Sequence, residues 1–178
     1  MRIGCNGRYL FASPAFAQDS TVNPFAAAGC GVNEIHFNVK TDIKQHPTAQ
    51  PHSGKALVYV FVAAWSDYTA VHFGTPPTRF GIDGTWLGAN GYRSYFFFPV
   101  EPGDHRLCTG VQSRFEWVVK SSLAAISFTA EAGKTYYFRT KTPKGQDTSG
   151  GRILVPVDPA EAQLLIATTA FSTFRPKK

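Results

Sequence analysis

The stretch GIDGTWLGANGYRSYFFFPVEPGDHRLC, residues 81–108, decides the fold class because it combines closely spaced turn signals with strand-forming runs. Asp83 and Gly84 separate the runs RFGID and TWLGA. An Asp-Gly pair in that setting favours a type I′ hairpin turn, in which both central residues have positive φ. The aromatic run SYFFFPV that follows is typical of a strand. The stretch therefore predicts antiparallel β-structure.

Two further hairpins are predicted from turn signals on the carboxyl side. The tetrapeptide EPGD at 101–104, between SYFFFPV and HRLCTGVQ, has Pro and Gly where a type II turn prefers them. The tripeptide EAG at 131–133 separates SLAAISFTA from KTYYFRTKT, and RILVPV supplies the last predicted strand. Turn signals at such short intervals indicate an all-β protein, a β-sandwich of antiparallel hairpins.

The domain boundary is set by a change in composition near residue 55. KALVYVFVAA is apolar at successive positions, as in a central strand that is covered on both faces. Residues 18–54 are rich in turn residues and contain one strand-like segment, GVNEIHFNVK. We therefore expect an N-terminal arm at 18–54 and the β-sandwich domain at 55–178.

One short C-terminal helix is also expected. Asp158 is a suitable N-cap, Pro159 suits the first helical position, and AQLLIA provides an apolar face. The final RPKK, residues 175–178, is predicted to be a solvated basic tail.

The amino terminus predicts export. Residues 1–17 contain two arginines, a short apolar stretch and the sequence Ala-Phe-Ala before Gln18, which is the pattern of a signal-peptide cleavage site. No apolar run is long enough to span a membrane. We expect an extracytoplasmic protein, periplasmic or secreted.

The chain has three cysteines, of which Cys5 lies in the probable signal segment. The remaining pair, Cys30 and Cys108, is expected to form a disulfide, because exported proteins experience an oxidising environment. An alternative is that Cys30 carries a lipid anchor, since AAGC resembles the end of a lipoprotein box. The polar sequence QDSTVNP shortly before it argues against that alternative.

No motif of a catalytic, metal or cofactor site is present. The sequence lacks G-x-S-x-G, CxxC and HExxH, and its five histidines share no ligand spacing. Asp83 and Asp104 are interpreted as turn residues, and His46 and His52 as solvated loop residues. We therefore expect no catalytic residue, no metal and no cofactor. The alternative is a hydrolase or isomerase whose site is assembled from scattered polar residues.

Aromatic residues are the candidates for a contact surface. Strand alternation sends Phe96 and Phe98 to one face and Tyr95 and Phe97 to the other, so one pair should be internal. Core packing explains most of these side chains. Trp86, Tyr95 and Phe97 are retained as a candidate surface for an envelope protein or a glycan, since aromatic faces stack on such ligands.

The formal net charge of +6 would suit a polyanion such as nucleic acid, an anionic envelope polymer or a lipid surface, but we expect no nucleic-acid partner. Apart from the RPKK tail, the basic residues are scattered along the chain rather than clustered. The sequence carries no signal for a particular oligomeric state.

The order of several segments resembles an uncharacterised bacterial family, the domain of unknown function twenty-eight forty-six. The segments are CGVNEIHFNVKTDIKQHPT, GKALVYV, GIDGTWLGAN, SYFFFPVEPGDHRLC, FTAEAGKTYYFR and ILVPVDPAEAQLLIA. The part between Asp83 and His105 is also similar to PEGA-type surface modules, in which a DG hairpin precedes a PG-H turn. The resemblance implies a small, mostly β, exported or envelope-attached domain without known enzymatic activity. It carries over no catalytic residue.

Overall fold

A computed structural model describes most of the chain, namely residues 24–31, 35–62, 76–113, 122–141 and 152–178. The expected signal segment at 1–17 lies outside the described residues. Within them, two β-sheets pack against each other and a short helix precedes the last strand, which confirms the expected all-β sandwich with a helix near its C-terminal end. No helix in the described ranges combines the length and apolar character needed to cross a bilayer.

The larger sheet, sheet A, contains six strands: β1 (Phe37–Asp42), β2 (Ala56–Val62), β5 (Ser94–Val100), β8 (Thr135–Lys141), β9 (Ile153–Pro156) and β10 (Ala170–Pro176). Their spatial order is β1-β10-β5-β2-β8-β9. Strand β2 pairs antiparallel with β5 and parallel with β8.

The smaller sheet, sheet B, contains four strands: β3 (Thr78–Ile82), β4 (Thr85–Asn90), β6 (Gly103–Val111) and β7 (Ala124–Ala130). Their spatial order is β4-β3-β6-β7, and all three pairings are antiparallel.

Strand β2 is buried along its whole length, as its apolar sequence predicts. Val58 and Val60 point into the core between the sheets, whereas Tyr59 and Phe61 belong to a second cluster on the outer face of sheet A. The inter-sheet core also includes Phe80, Phe96, Leu107 and Phe138. Both faces of β2 are therefore covered, which explains why its sequence does not alternate.

The outer face of sheet A is covered by helix α2 (Pro159–Thr168) and by the segment before β2. The Tyr59 hydroxyl accepts a hydrogen bond from the Ala49 amide at 2.8 Å, and the His46 ring donates from Nδ1 to the Ile166 carbonyl at 2.7 Å. His46 is exposed in a loop, as expected, and its ring also links the arm to the helix.

Helix α2 begins as its sequence predicts. The Asp158 carboxylate accepts hydrogen bonds from the amides of Ala160 and Glu161 at 2.9 and 3.0 Å, and Pro159 occupies the first turn. The cap satisfies amides that lack a partner within the helix.

The part of the outer face of sheet B around Trp86 and Cys108 is covered by the first described residues, which include the short helix α1 (Pro24–Ala27). Cys30 forms a disulfide with Cys108 of β6, with their Cα atoms 5.4 Å apart. The Gly84 amide also donates to the Gly29 carbonyl at 2.8 Å. A covalent bond and a backbone hydrogen bond therefore hold this segment on the sheet.

The hairpin predicted at Asp83 and Gly84 is confirmed, since these residues join the paired strands β3 and β4. Their φ angles are 48° and 83°, the left-handed values that a type I′ turn requires.

The other two predicted hairpins are wrong. Strand β5 lies in sheet A and β6 in sheet B, so EPGD connects the two sheets, and EAG likewise connects β7 of sheet B to β8 of sheet A. Strand β5 already has β10 and β2 on its two edges, and β8 has β2 and β9. Strand β5 therefore has no free edge for β6, and β8 has none for β7.

The first and the last strand of the described chain pair with each other in sheet A. Strand β1, from the expected arm, pairs along its whole length with β10, so this part of the arm belongs to the sandwich. RILVPV forms β9 rather than the last strand, and β10 was not predicted. Arg175 and Pro176 lie in β10, so only Lys177 and Lys178 of the expected basic tail lie beyond the last strand.

Candidate functional site

Trp86 lies in a packed cluster rather than on an exposed face. It is 7% exposed on the outer face of sheet B, beneath the segment that carries Cys30. The Phe25 ring packs edge-on against it at 5.8 Å, and the Arg79 guanidinium lies 4.5 Å from its ring centroid. The indole therefore joins the amino-terminal segment to the sheet.

Tyr95 and Phe97 lie on the outer face of sheet A, in the aromatic cluster below helix α2. Tyr95 is fully buried and donates its hydroxyl to the Pro47 carbonyl at 2.9 Å. Burial, and secondarily the nearby Tyr59, raises the pKa of Tyr95 to about 12. Phe97 is half-buried against Tyr59, with ring centroids 4.9 Å apart.

Trp86, Tyr95 and Phe97 therefore form no common exposed surface. Trp86 is on the outer face of one sheet, while the other two are on the outer face of the other. Alternation correctly separated Tyr95 and Phe97 from Phe96, which lies between the sheets. It did not indicate that other segments cover Trp86 on sheet B and Tyr95 on sheet A, because the covering segments are distant in sequence.

A group of polar side chains instead comes together at the end of sheet B. Strand β6 pairs with β3 so that Leu107 lies opposite Ile82. This register places the β3–β4 turn beside the first half of β6, and Asp83 reaches His105. We call Asp83, Asp104 and His105 the turn cluster.

His105 has both ring nitrogens in hydrogen bonds. Its Nδ1 lies 2.6 Å from the Asp83 Oδ2 atom, and its Nε2 lies 2.7 Å from the Glu101 carbonyl oxygen. A carboxylate and a carbonyl only accept hydrogen bonds, so making both bonds requires a proton on each nitrogen. The geometry therefore favours the imidazolium form.

The pKa of His105 is raised above its ordinary value. Partial burial, the largest single effect, opposes the charged ring, but the hydrogen bonds to Asp83 and the Glu101 carbonyl outweigh it together with the nearby negative charges. The negative charges of Asp83 and Asp104 act in the same direction. These contacts stabilise the charged form of the ring relative to the neutral form.

The carboxylates of the turn cluster are also engaged. The second oxygen of Asp83 accepts a hydrogen bond from the Arg106 amide at 2.8 Å. Asp104 accepts one from the Thr129 hydroxyl at 2.6 Å. The cluster therefore links the β3–β4 turn, β6 and β7.

A shallow cleft of about 470 Å³ adjoins the turn cluster, lined by Asp83, Asp104, His105, Arg106, Ser127, Phe128 and Thr129. Asp104, Arg106 and Ser127 are exposed along it. The second Asp104 oxygen, the Ser127 hydroxyl and the Arg106 terminal nitrogens make no hydrogen bond to any residue that the structure describes. The cleft therefore offers both donors and acceptors to a ligand.

The sequence predicts no deep pocket of converging polar side chains, and such a pocket around His105 would favour the hydrolase or isomerase alternative. Asp83 and Asp104 are interpreted from the sequence only as turn residues. Two sequence signals belong to the cluster, the DG turn and the PGDH turn, and strands β4 and β5 separate them along the chain. What the sequence lacked was the pairing of β3 with β6, which brings the two turns together.

No group of three or more His, Cys, Asp or Glu side chains in the described ranges is arranged to hold a metal ion. Comparison of the chain with family models, with curated proteins and with solved structures finds no match.

Proposed function

We propose that this protein is an exported, non-catalytic β-sandwich module that binds a partner at the bacterial cell envelope, with the cleft beside the turn cluster as its binding site. A hydroxyl-rich glycan is the ligand class that suits the cleft best. The Asp104 carboxylate can accept hydrogen bonds and the Arg106 guanidinium can donate them. The Ser127 hydroxyl can do both. Sugar hydroxyls need such a mixture of donors and acceptors.

The observation that carries the non-catalytic assignment is the bonding of His105. A general base needs a nitrogen lone pair directed at the substrate. Here Nδ1 faces Asp83 and Nε2 faces the Glu101 carbonyl, so neither nitrogen is available to accept a proton without breaking a contact. This supports a structural role for the imidazole.

Export is supported by two features. The amino-terminal sequence has a signal-like cleavage pattern before Gln18. Cys30 and Cys108 form a disulfide, a bond that persists in oxidising compartments.

The binding proposal is tested with the purified, disulfide-bonded protein on an array of bacterial envelope glycans, with immobilised envelope proteins as a parallel arm. We expect a glycan to bind, and Asp104→Asn or Ser127→Ala to weaken it by about tenfold, the loss expected for one or two hydrogen bonds. Glu131→Gln, an exposed change on the β7–β8 turn, serves as the matched control. Binding that survives both cleft variants, or no glycan binding at all, would contradict the assignment of this site.

Export is tested separately by amino-terminal sequencing of the protein isolated from its native host. The expected mature chain begins at or near Gln18. An intact amino terminus together with cytoplasmic fractionation would overturn the localisation but leave the cleft proposal standing.

A hydrolase is the second candidate, and the Asp83–His105 pair is the observation that favours it, since a carboxylate-bound imidazole is part of many hydrolytic sites. No hydroxyl or thiol of the described residues bonds to His105. A panel of ester, peptide and glycoside substrates tests this alternative. Turnover that His105→Gln abolishes, in a variant that still folds, would replace the binding proposal.

A further inference from the structure

Strand β1 is at one edge of sheet A among the described strands, and its hydrogen-bonding pattern defines the exposed edge. In an antiparallel pair, successive residues direct their N–H and C=O groups alternately towards and away from the partner. The His36 carbonyl accepts a hydrogen bond at 2.8 Å from the amide of Lys177, the residue that follows β10. Phe37, Val39 and Thr41 therefore direct their backbone groups away from β10.

The first of these outward positions is already occupied by a side-chain amide. The Phe37 amide donates to the Gln112 Oε1 atom at 2.5 Å, and the Gln112 Nε2 group donates to the Phe37 carbonyl at 3.0 Å. The primary amide thus makes the pair of hydrogen bonds that a peptide group of a neighbouring strand would make. Gln112 itself is 7% exposed, so it is fixed in this position.

The next two outward positions have no such partner. Val39 and Thr41 make no outward hydrogen bond to any described residue, and Thr41 is exposed. Unpaired backbone groups along an exposed edge are the template for adding another strand. Among the described residues, the edge is therefore paired at Phe37 and unpaired at Val39 and Thr41.

The surface beside this edge is basic. Lys40 and Arg175 are exposed on the outer face of sheet A, and Lys177 follows directly after β10. Two shallow depressions of about 230 and 560 Å³ lie here, and both are lined by Asn38 and Arg175. Asp42, at the far end of β1, is the acidic residue of this strand.

We propose that β1 accepts an extended, acidic segment of a partner protein as an additional strand of sheet A. The backbone of the segment would bond to Val39 and Thr41, and its alternate acidic side chains would lie over Lys40 and Arg175. This surface involves neither the turn cluster nor the cleft, so the inference is independent of the proposed glycan site.

Charge selects an acidic partner over a second copy of this chain. Pairing of two β1 edges would bring the basic side chains of both copies, including Lys40 and Arg175, to one surface. Lysine at a sheet edge opposes such self-association. An acidic strand would instead be attracted by the positive charges of Lys40 and Arg175.

The test uses the full disulfide-bonded protein and a labelled synthetic peptide of alternating valine and glutamate. We expect binding by fluorescence anisotropy, and slower hydrogen exchange at the Val39 and Thr41 amides in the complex. A peptide with lysine in place of glutamate should not bind. Peptide binding without protection of these two amides would overturn strand addition.

Two variants separate the backbone contribution from the charge contribution. Val39→Pro removes an outward N–H that β10 does not use, and should weaken binding by about tenfold. Lys40→Glu with Arg175→Glu should shift preference to the lysine peptide, whereas Lys134→Glu, an exposed change elsewhere, should have no effect.

A glutamate peptide with methylated backbone nitrogens on its pairing edge tests the same point without changing the protein. It should fail to bind the wild-type chain. If it binds as well as the unmodified peptide, the surface is only an electrostatic patch and the proposal fails. Protection of Val39 that increases with protein concentration in the absence of peptide would identify a second copy as the occupant, and would also overturn it.

Discussion

At the scale of single residues, His105 couples the stability of the fold to pH. Because its pKa is higher in the folded chain than the ordinary value of about 6.5 expected when unfolded, the charged ring stabilises the folded state. This contribution is complete below about pH 6.5 and is lost as the pH rises through the folded pKa. The Asp83 side chain is 47% exposed, so solvent weakens the pair.

We predict that His105→Gln reduces the pH dependence of stability. Between about pH 5.5 and about pH 8.5, the wild-type chain should lose about 0.5–1 kcal/mol more unfolding free energy than the variant. Urea unfolding at the two pH values measures the difference. His52→Gln, a change of an exposed histidine before β2, is the control. Parallel pH profiles for wild type and His105→Gln would be the contrary result.

Gly88 is a second residue whose role depends on one contact. A Cβ atom at this position would lie 2.1 Å from the Phe174 Cζ atom, because the ring lies directly over the glycine. We predict that Gly88→Ala destabilises the protein by about 1–3 kcal/mol through overpacking. Thermal and urea unfolding measure it.

A double-mutant cycle distinguishes this clash from a general strand effect. In a Phe174→Leu background, the smaller side chain should make Gly88→Ala less costly. Equal costs in both backgrounds would show that the ring is not the cause.

At the scale of elements, local chemistry determined what the sequence predicted correctly. The Asp83-Gly84 turn and the Asp158 cap are each specified by neighbouring residues, and both have the expected geometry. The turn signals EPGD and EAG specify a chain reversal equally well. They do not specify whether the next strand joins the same sheet, because that depends on which edges distant strands have already occupied.

The helix cap allows a direct test of one local prediction. Asp158→Ala removes the acceptor for the Ala160 and Glu161 amides and should cost about 1 kcal/mol of stability. Asp158→Asn retains a side-chain oxygen and should cost much less. Urea unfolding of both variants gives the comparison. Similar losses for alanine and asparagine would argue against the cap as the cause.

The missed strand β10 illustrates a limit of pattern analysis. Its buried positions include Ala170 and Ser172, which carry little hydrophobic signal. The Ser172 hydroxyl is instead satisfied by bonding to the Ser94 hydroxyl at 2.7 Å. The turn cluster was missed for a related reason, since Asp83 and His105 meet only through the register of β3 and β6.

At the scale of the whole molecule, the disulfide attaches the first described segment to sheet B. We predict that replacing both Cys30 and Cys108 with serine lowers the unfolding free energy by about 2–5 kcal/mol, the usual loss for a native bridge. Urea unfolding of the oxidised wild type and the variant measures the change. A second variant with alanine at both positions shows how much of the loss comes from burying the serine hydroxyls rather than from losing the disulfide. Unchanged stability in both double variants would contradict the prediction.

The pairing of β1 with β10 also has a consequence for biosynthesis. A ribosome delivers the chain from its amino end, so β1 emerges before any other strand in the described chain and its partner emerges after all of them. Until β10 has been translated, the Phe37 and Val39 side chains lack the Phe174 side chain, which packs beside them in the folded protein. Sheet A can therefore be completed only after translation of Ala170–Pro176, and a nascent chain arrested earlier presents an unpaired strand to chaperones and to other nascent chains.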